Sequence, residues 1–140
     1  MNEGQFNAKF FFDWLRSYGH GQLLNLDYRD SGPDWVEAAL PWHEELVALT
    51  DRGYLASSVI VSLLDTCSGA AVFQRLGRLS ESATIDLRVD YLRAAMKGET
   101  VVARCECYKV TKQVAFVRGS ARSDDGEPIA QAAGTFIVRA

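Results

Sequence analysis

The sequence predicts an α+β fold in which an antiparallel sheet wraps around one long central helix, with an extra helix at the N-terminus. Three observations predict it. A single long apolar run, Leu55 to Gly77, carries helical spacing. Beyond it the hydrophobic period drops from 3.6 to 2 and stays there through four strand-like segments. An all-antiparallel sheet with only one long helix buries its single apolar face against that helix.

The bulk numbers agree with one core. A chain of 140 residues without a Pro/Gly/Ser-rich linker has the size of a single domain, so 1–140 is read as one unit. Apolar residues make up 48% and charged residues 24%, the balance of a globular protein and far from that of a disordered one. A net charge of −3 offers no basic field for a phosphate backbone, so no nucleic-acid partner is expected. Ser57, Ser58, Ser62 and Asp65 interrupt the longest apolar run, which therefore reads neither as a membrane span nor as a secretory segment. No membrane partner is expected, and a cytoplasmic location is the default.

In chain order, residues 1–20 hold the N-terminal helix. Phe6, Phe10 and Trp14, with Phe11, Leu15 and Tyr18 beside them, form one broad apolar face over 5–18, and Gly19 reads as its stop. GQLLNLDYR, the turn letters DSGPD and WVEAALPW follow as a hairpin or near-hairpin, and 43–54 as a short helical turn and loop. The central helix occupies 55–76. The main strands fill 81–138: in SATIDLRVDYL the odd positions Ala83, Ile85, Leu87, Val89 and Tyr91 are apolar, which predicts one buried face. Val101, Ala103, Cys105 and Cys107 repeat the pattern, and Asp124-Asp125-Gly126 turns the last two strands. Ala115, Val117, Gly119 and Ala121, with Ala130, Ala132 and Gly134, give the sheet a trough of small side chains where a helix can lie close. Cys67, Cys105 and Cys107 are expected as buried, reduced thiols, and with His20 and His43 far apart in sequence no metal site is expected.

Asp65 is the odd residue of the central helix. At about 100° per residue, Ile60, Leu63, Leu64, Cys67 and Ala71 share the side that meets the sheet. The opposite side carries Ser58, Ser62, Asp65 and Gly69, with Val61 and Val72 beside them. A lone acid on a helix is usually a solvated one. This stripe, however, lacks the Lys, Glu and Arg of a solvated face, which suggests that something close-fitting covers it. A covered carboxylate is how a general base or nucleophile is prepared. Ser57 and Ser58 stand at the helix start, either as ordinary N-caps or as part of a first turn whose free N–H groups hold a developing negative charge.

These residues carry a resemblance. Ala56-Ser57-Ser58 and the run to Asp65, then Gly69-Ala70-Ala71, the strand from Thr84 to Ala94, Gly98-Glu99, and Asp125-Gly126 with Ile129–Ala132 and Gly134-Thr135-Phe136 resemble a hotdog-fold acyl-CoA thioesterase. The nearest group is the phenylacetate-degradation (PaaI-like) branch of the 4-hydroxybenzoyl-CoA thioesterase superfamily. The resemblance runs from about Gly53 to Val138, in order and at the right spacing.

It implies homodimers paired edge to edge, often joined as homotetramers, with active sites at the dimer interface. It implies hydrolysis of a small-molecule acyl-CoA, the thioester being substrate and no cofactor being needed. Asp65 matches the catalytic carboxylate. The family's His-Gly-Gly motif, nine residues earlier, falls on Ala56, Ser57 and Ser58, so the motif's side chains are gone while a backbone N–H remains at Ser57. Thr50 stands where an Asn is common, and Gly53 is kept. Thr84 matches the Ser or Thr that positions water from the neighbouring subunit. The implied site is thus Asp65, Ser57 and Thr84 for catalysis, with Ser58, Thr50, Gly53, Ala56, Ser62 and Gly69 around the substrate.

A hotdog protein that binds CoA or an acyl ligand without hydrolysing it is the alternative, since serine replaces glycine at the helix start. A dehydratase would want a histidine by the acid, and none is near in sequence. Arg93, Lys97, Lys112 and Arg118 are the cations considered for the nucleotide end of CoA, solvated surface charge being the ordinary reading of each.

Overall fold

The computed structural model describes residues 4–48 and 51–139. Its elements are α1 (Ala8–Leu15), α2 (Gly19–Leu24), β1 (Asp27–Ser31), β2 (Trp35–Leu40), a 3₁₀ turn (Glu44–Leu46), α3 (Ser57–Leu76), β3 (Ser82–Tyr91), β4 (Val101–Val110), β5 (Val114–Ser123) and β6 (Pro128–Val138). The six strands form one antiparallel sheet in the order β1-β2-β4-β5-β6-β3, and α3 packs across it. The expected sheet around a central helix is what forms.

The predicted core side of α3 is buried. Ile60, Leu63, Leu64, Cys67 and Ala71 all lie inside, and Val72, read from the sequence as flanking the polar stripe, is fully buried with them. Full burial of each aliphatic side chain stabilises the fold by about 1.5–3 kcal/mol. The small-residue trough accounts for the close approach: Ala115, Val117, Ala121 and Ala130 are buried beneath the helix. By length and composition α3 could cross a membrane, with a mean hydropathy of 1.3, but half of that window is buried within the protein. Its apolarity is that of a core helix.

The thiols pack as expected. Cys67 on α3 meets the sheet, its Sγ donating to the carbonyl of Val36 at 3.3 Å, and Cys105 Sγ lies 3.8 Å from the carbonyl of Leu64. All three cysteines are free and buried.

The N-terminal region departs from expectation in two ways. The helix turns a different face inward: Ala8, Phe11 and Phe12 are buried, Leu15 is partly so, and Phe10, Trp14 and Tyr18 are exposed. The consecutive aromatics Phe10, Phe11 and Phe12 allow two overlapping helical stripes, and the Phe6–Phe11–Phe73 cluster, with ring centroids 5.6–5.9 Å apart, selects one. Gly19 also starts α2 instead of ending the structured segment, so the first strand of the predicted hairpin shrinks to Asp27–Ser31. Gly21 is what lets the two short helices touch, because a Cβ there would lie 2.2 Å from the Leu15 carbonyl oxygen.

The third departure is in β3. Its pairing with β6 slips between Thr84 and Asp86, leaving Ile85 as the extra residue of a β-bulge. Ile85 is 58% exposed and Ala83 is exposed, where strict alternation put both inward. Beyond the bulge Leu87 and Val89 do turn inward and are partly buried against the core, while Tyr91 at the strand end is exposed. β3 is also an edge strand, with Tyr91, Leu92 and Met96 exposed at and beyond its end.

Candidate active site

The bulge decides where Thr84 points. By alternation alone Thr84 shares the polar face of Asp86, Arg88 and Asp90. One extra residue reverses the phase, and Thr84 faces α3, where its Oγ1 donates to Asp65 Oδ1 at 2.7 Å. Bulges are a common device for re-aiming a side chain next to a site. The resemblance implied a Thr84 acting from the neighbouring subunit; the contact formed here is within one chain.

Asp65 is half-buried on the wall of a cavity of about 290 Å³. Ser62 and Thr66 of α3 share its wall. The facing wall belongs to the N-terminal helices and the segment just after them: Leu15, Gly21, Leu24 and Leu26. This is the cover that the missing charges of the stripe called for. His20, at the start of α2, lines the same cavity, so the histidine absent from the acid's sequence neighbourhood comes from 45 residues upstream. Nothing in the local sequence signals that proximity, because it depends on the unpredicted α2.

The helix start forms a second group. Ala56 is the N-cap, with φ −59° and ψ 138° and no side-chain cap, so neither Ser57 nor Ser58 is the capping residue. Among the described residues the Ser57 and Ser58 N–H groups have no protein partner. Both serines take right-handed helical angles, and among the described residues the only non-glycine one with positive φ is Asn25. The helix start therefore does not need the family's glycines to hold its shape. Tyr91 supports it from β3, its hydroxyl donating to the Ser57 carbonyl at 3.0 Å.

Gly53, at φ +72°, does use glycine's freedom, and its carbonyl accepts from Trp42 Nε1 at 2.9 Å. It lines a hollow of about 300 Å³ with Trp42, Asp51 and Lys97, whose ammonium sits 5.9 Å from the Trp42 ring centroid. Thr50 lies outside the described residues. Gly69 does not line the Asp65 cavity; a Cβ there would lie 3.7 Å from the Phe136 ring of β6.

Of the other cations, Arg93 is committed to structure. It pairs in a two-pronged bond with Glu99 at 3.0 and 3.2 Å, and Glu99 also accepts from the Met96 N–H. The Arg93 guanidinium holds the Glu99 carboxyl below its ordinary range. The loop so clamped gives its Ala95 carbonyl to the Leu55 N–H, just before α3. Arg118 pairs with Glu106 over the Tyr108 ring, and Lys112 is exposed in the β4–β5 turn. Among the described residues no group of three His, Cys, Asp or Glu is placed to hold a metal ion.

The thioesterase superfamily model matches residues 52–130, from just before α3 into β6. An esterase-like protein of Halobacterium salinarum is 31% identical over 137 residues, spanning 89% of each chain. A medium/long-chain acyl-CoA thioesterase of Escherichia coli is 26% identical over 130 residues, 84% of this chain and 83% of that one. A thioesterase structure from Haemophilus influenzae superimposes with a TM-score of 0.85 over 99% of this chain and 94% of that one, at 20% identity, which is a likeness of fold.

Proposed function

The chain belongs to the thioesterase superfamily, a family of thioester hydrolases, and from that premise we propose that it hydrolyses an acyl-CoA thioester with Asp65 as the catalytic carboxylate. The observation that carries the reading is the Thr84–Asp65 hydrogen bond at the wall of a covered cavity. Thr84 occupies Asp65 Oδ1 and leaves Oδ2 to take a proton. Acting as base, Asp65 accepts a proton from water as the water oxygen attacks the thioester carbon. The tetrahedral oxyanion then collapses, the C–S bond breaks, and sulfur leaves with the electron pair as CoA thiolate. Acting as nucleophile, the same carboxylate would attack the thioester carbon and expel CoA thiolate as the C–S bond breaks, forming an anhydride that water hydrolyses to the free acid and the regenerated carboxylate. Neither route calls for a cofactor.

The oxyanion needs its own donor about 3 Å away. The Ser57 N–H is suited to this, but in one chain it lies eight residues before Asp65, about 12 Å along the helix at 1.5 Å per residue. One carbonyl cannot touch both. Two chains paired so that the α3 start of one approaches Asp65 of the other would complete the site, and β3 offers the surface: an unpaired edge strand with exposed Ile85, Tyr91, Leu92 and Met96. We therefore read the active unit as a homodimer, with Lys97, which packs beside Gly53 and Trp42, as the cation offered to the incoming CoA. Three free, buried thiols suit a reducing cytoplasm.

A hydrolysis screen over acetyl-, octanoyl-, phenylacetyl- and palmitoyl-CoA, run beside Asp65→Asn, tests the reading. Turnover on at least one substrate, lost in the variant, is expected. Absence of turnover on all four would favour the binding protein.

A further inference from the structure

The cavity beside Asp65 has two unlike walls, and the contrast points to what it holds. The α3 wall is polar at Ser62, Asp65 and Thr66; the opposite wall is apolar, with Leu24 and Leu26 each 3% exposed and Leu15 partly buried. A thioester whose carbonyl carbon meets Asp65 would extend its acyl tail along the leucines. Resting on the hydrolase reading above, we propose that this cleft is the acyl subsite and that it selects neutral, medium-sized acyl groups.

Size and charge both set the class. An apolar cavity of about 150 Å³ holds one benzene, so at that density a cavity of about 290 Å³ takes a group of roughly twelve carbons. Longer chains outrun it. Among the lining residues there is no Lys or Arg, and His20 alone could carry positive charge. A tail ending in a carboxylate would be desolvated beside Asp65 without a matched cation, which disfavours malonyl- or succinyl-type thioesters. The apolar wall lies before residue 52, outside the stretch matched by the family model. The selecting residues thus sit on the N-terminal helices and the segment just after them, apart from the shared region that carries Asp65.

Calorimetric binding to the Asp65→Asn protein tests this without turnover. Each buried methylene strengthens binding by about fourfold, so octanoyl-CoA is expected to bind at least 100-fold tighter than acetyl-CoA, with succinyl-CoA no tighter than acetyl-CoA. Leu15→Trp and Thr66→Leu fill the cleft from opposite walls. In whichever of them melts like the parent, the octanoyl-to-acetyl ratio should fall at least tenfold. An unchanged ratio in a folded variant, or succinyl-CoA binding as tightly as octanoyl-CoA, would overturn the assignment. The same variants on the native Asp65 background separate the two claims. Chain-length-selective binding without any hydrolysis sinks only the hydrolase reading, and hydrolysis with an unmoved chain-length profile sinks only the acyl subsite.

Discussion

Thr84 Oγ1 donates to Asp65 Oδ1 at 2.7 Å, joining the edge strand β3 to the outer face of α3. The bond fixes one carboxylate oxygen of a residue that lines the cavity. A hydrogen bond to a charged group contributes about 1.5–3 kcal/mol, which corresponds to roughly 10- to 100-fold in rate if it acts in the transition state. Thr84→Val should therefore lower kcat by that factor with little change in KM, and Thr84→Ser should restore most of it. Equal rates in Thr84→Val and native protein would leave the bond a structural one.

The separation of Asp65 from the helix start predicts complementation between subunits. Ser57→Pro deletes the N–H at the first helical position, where proline is well tolerated, and Ala56 before it already has the extended angles that proline requires. Ser57→Pro and Asp65→Asn should each be nearly inactive alone. Refolded together in equal amounts, half the dimers are mixed and each has one intact site, so activity should return to about a quarter of native. No recovery, with mixed dimers confirmed by mass, would place both groups of a site in one chain.

The thiols should be silent in the folded state. The neighbouring Cys105 thiol, followed by burial, pushes Cys67 well above the ordinary cysteine range, and burial chiefly raises Cys107. At pH 8 a thiol reagent should label none of the three within the mixing time and all three in denaturant. Rapid labelling of the folded protein would contradict the packing of Cys67 against the sheet.

The Arg93–Glu99 clamp gives a pH signature. Glu99 has its folded pKa depressed by Arg93, so its contribution is full above the ordinary glutamate pKa of about 4.3 and is lost as pH falls through the lower folded value. Glu99→Gln should lower the melting temperature at pH 7 by roughly 3–8 °C, given about 1–2 kcal/mol for the paired bond. The difference from native should shrink as pH drops below about 4. A gap that stays constant down to pH 3 would mean the clamp's charge does not matter.

The architecture and the acid were legible because each rests on a local pattern. Helical spacing assigned the inward side of α3, and the absence of Lys, Glu and Arg around Asp65 signalled a cover. What was illegible depended on tertiary choices. The Phe10–Phe12 triplet admits two faces, and only packing against Phe73 selects between them. The bulge at Ile85 has no glycine or proline to announce it, so alternation sent Thr84 to the wrong side of β3 even though its match to the family's water-positioning residue singled it out. His20 reached the acid's cavity through α2, a six-residue helix that begins at a residue read as a stop.

One substitution, read in two ways, tests whether Asp65 is present for chemistry. Asp65→Asn keeps the size and the bond from Thr84 but cannot accept the proton or attack. Its turnover on the best acyl-CoA should fall by at least about 100-fold while the melting temperature stays within about 2 °C of native. A fully active Asp65→Asn enzyme, or one whose lost activity tracks a large fall in melting temperature, would show that Asp65 serves the fold and not the reaction.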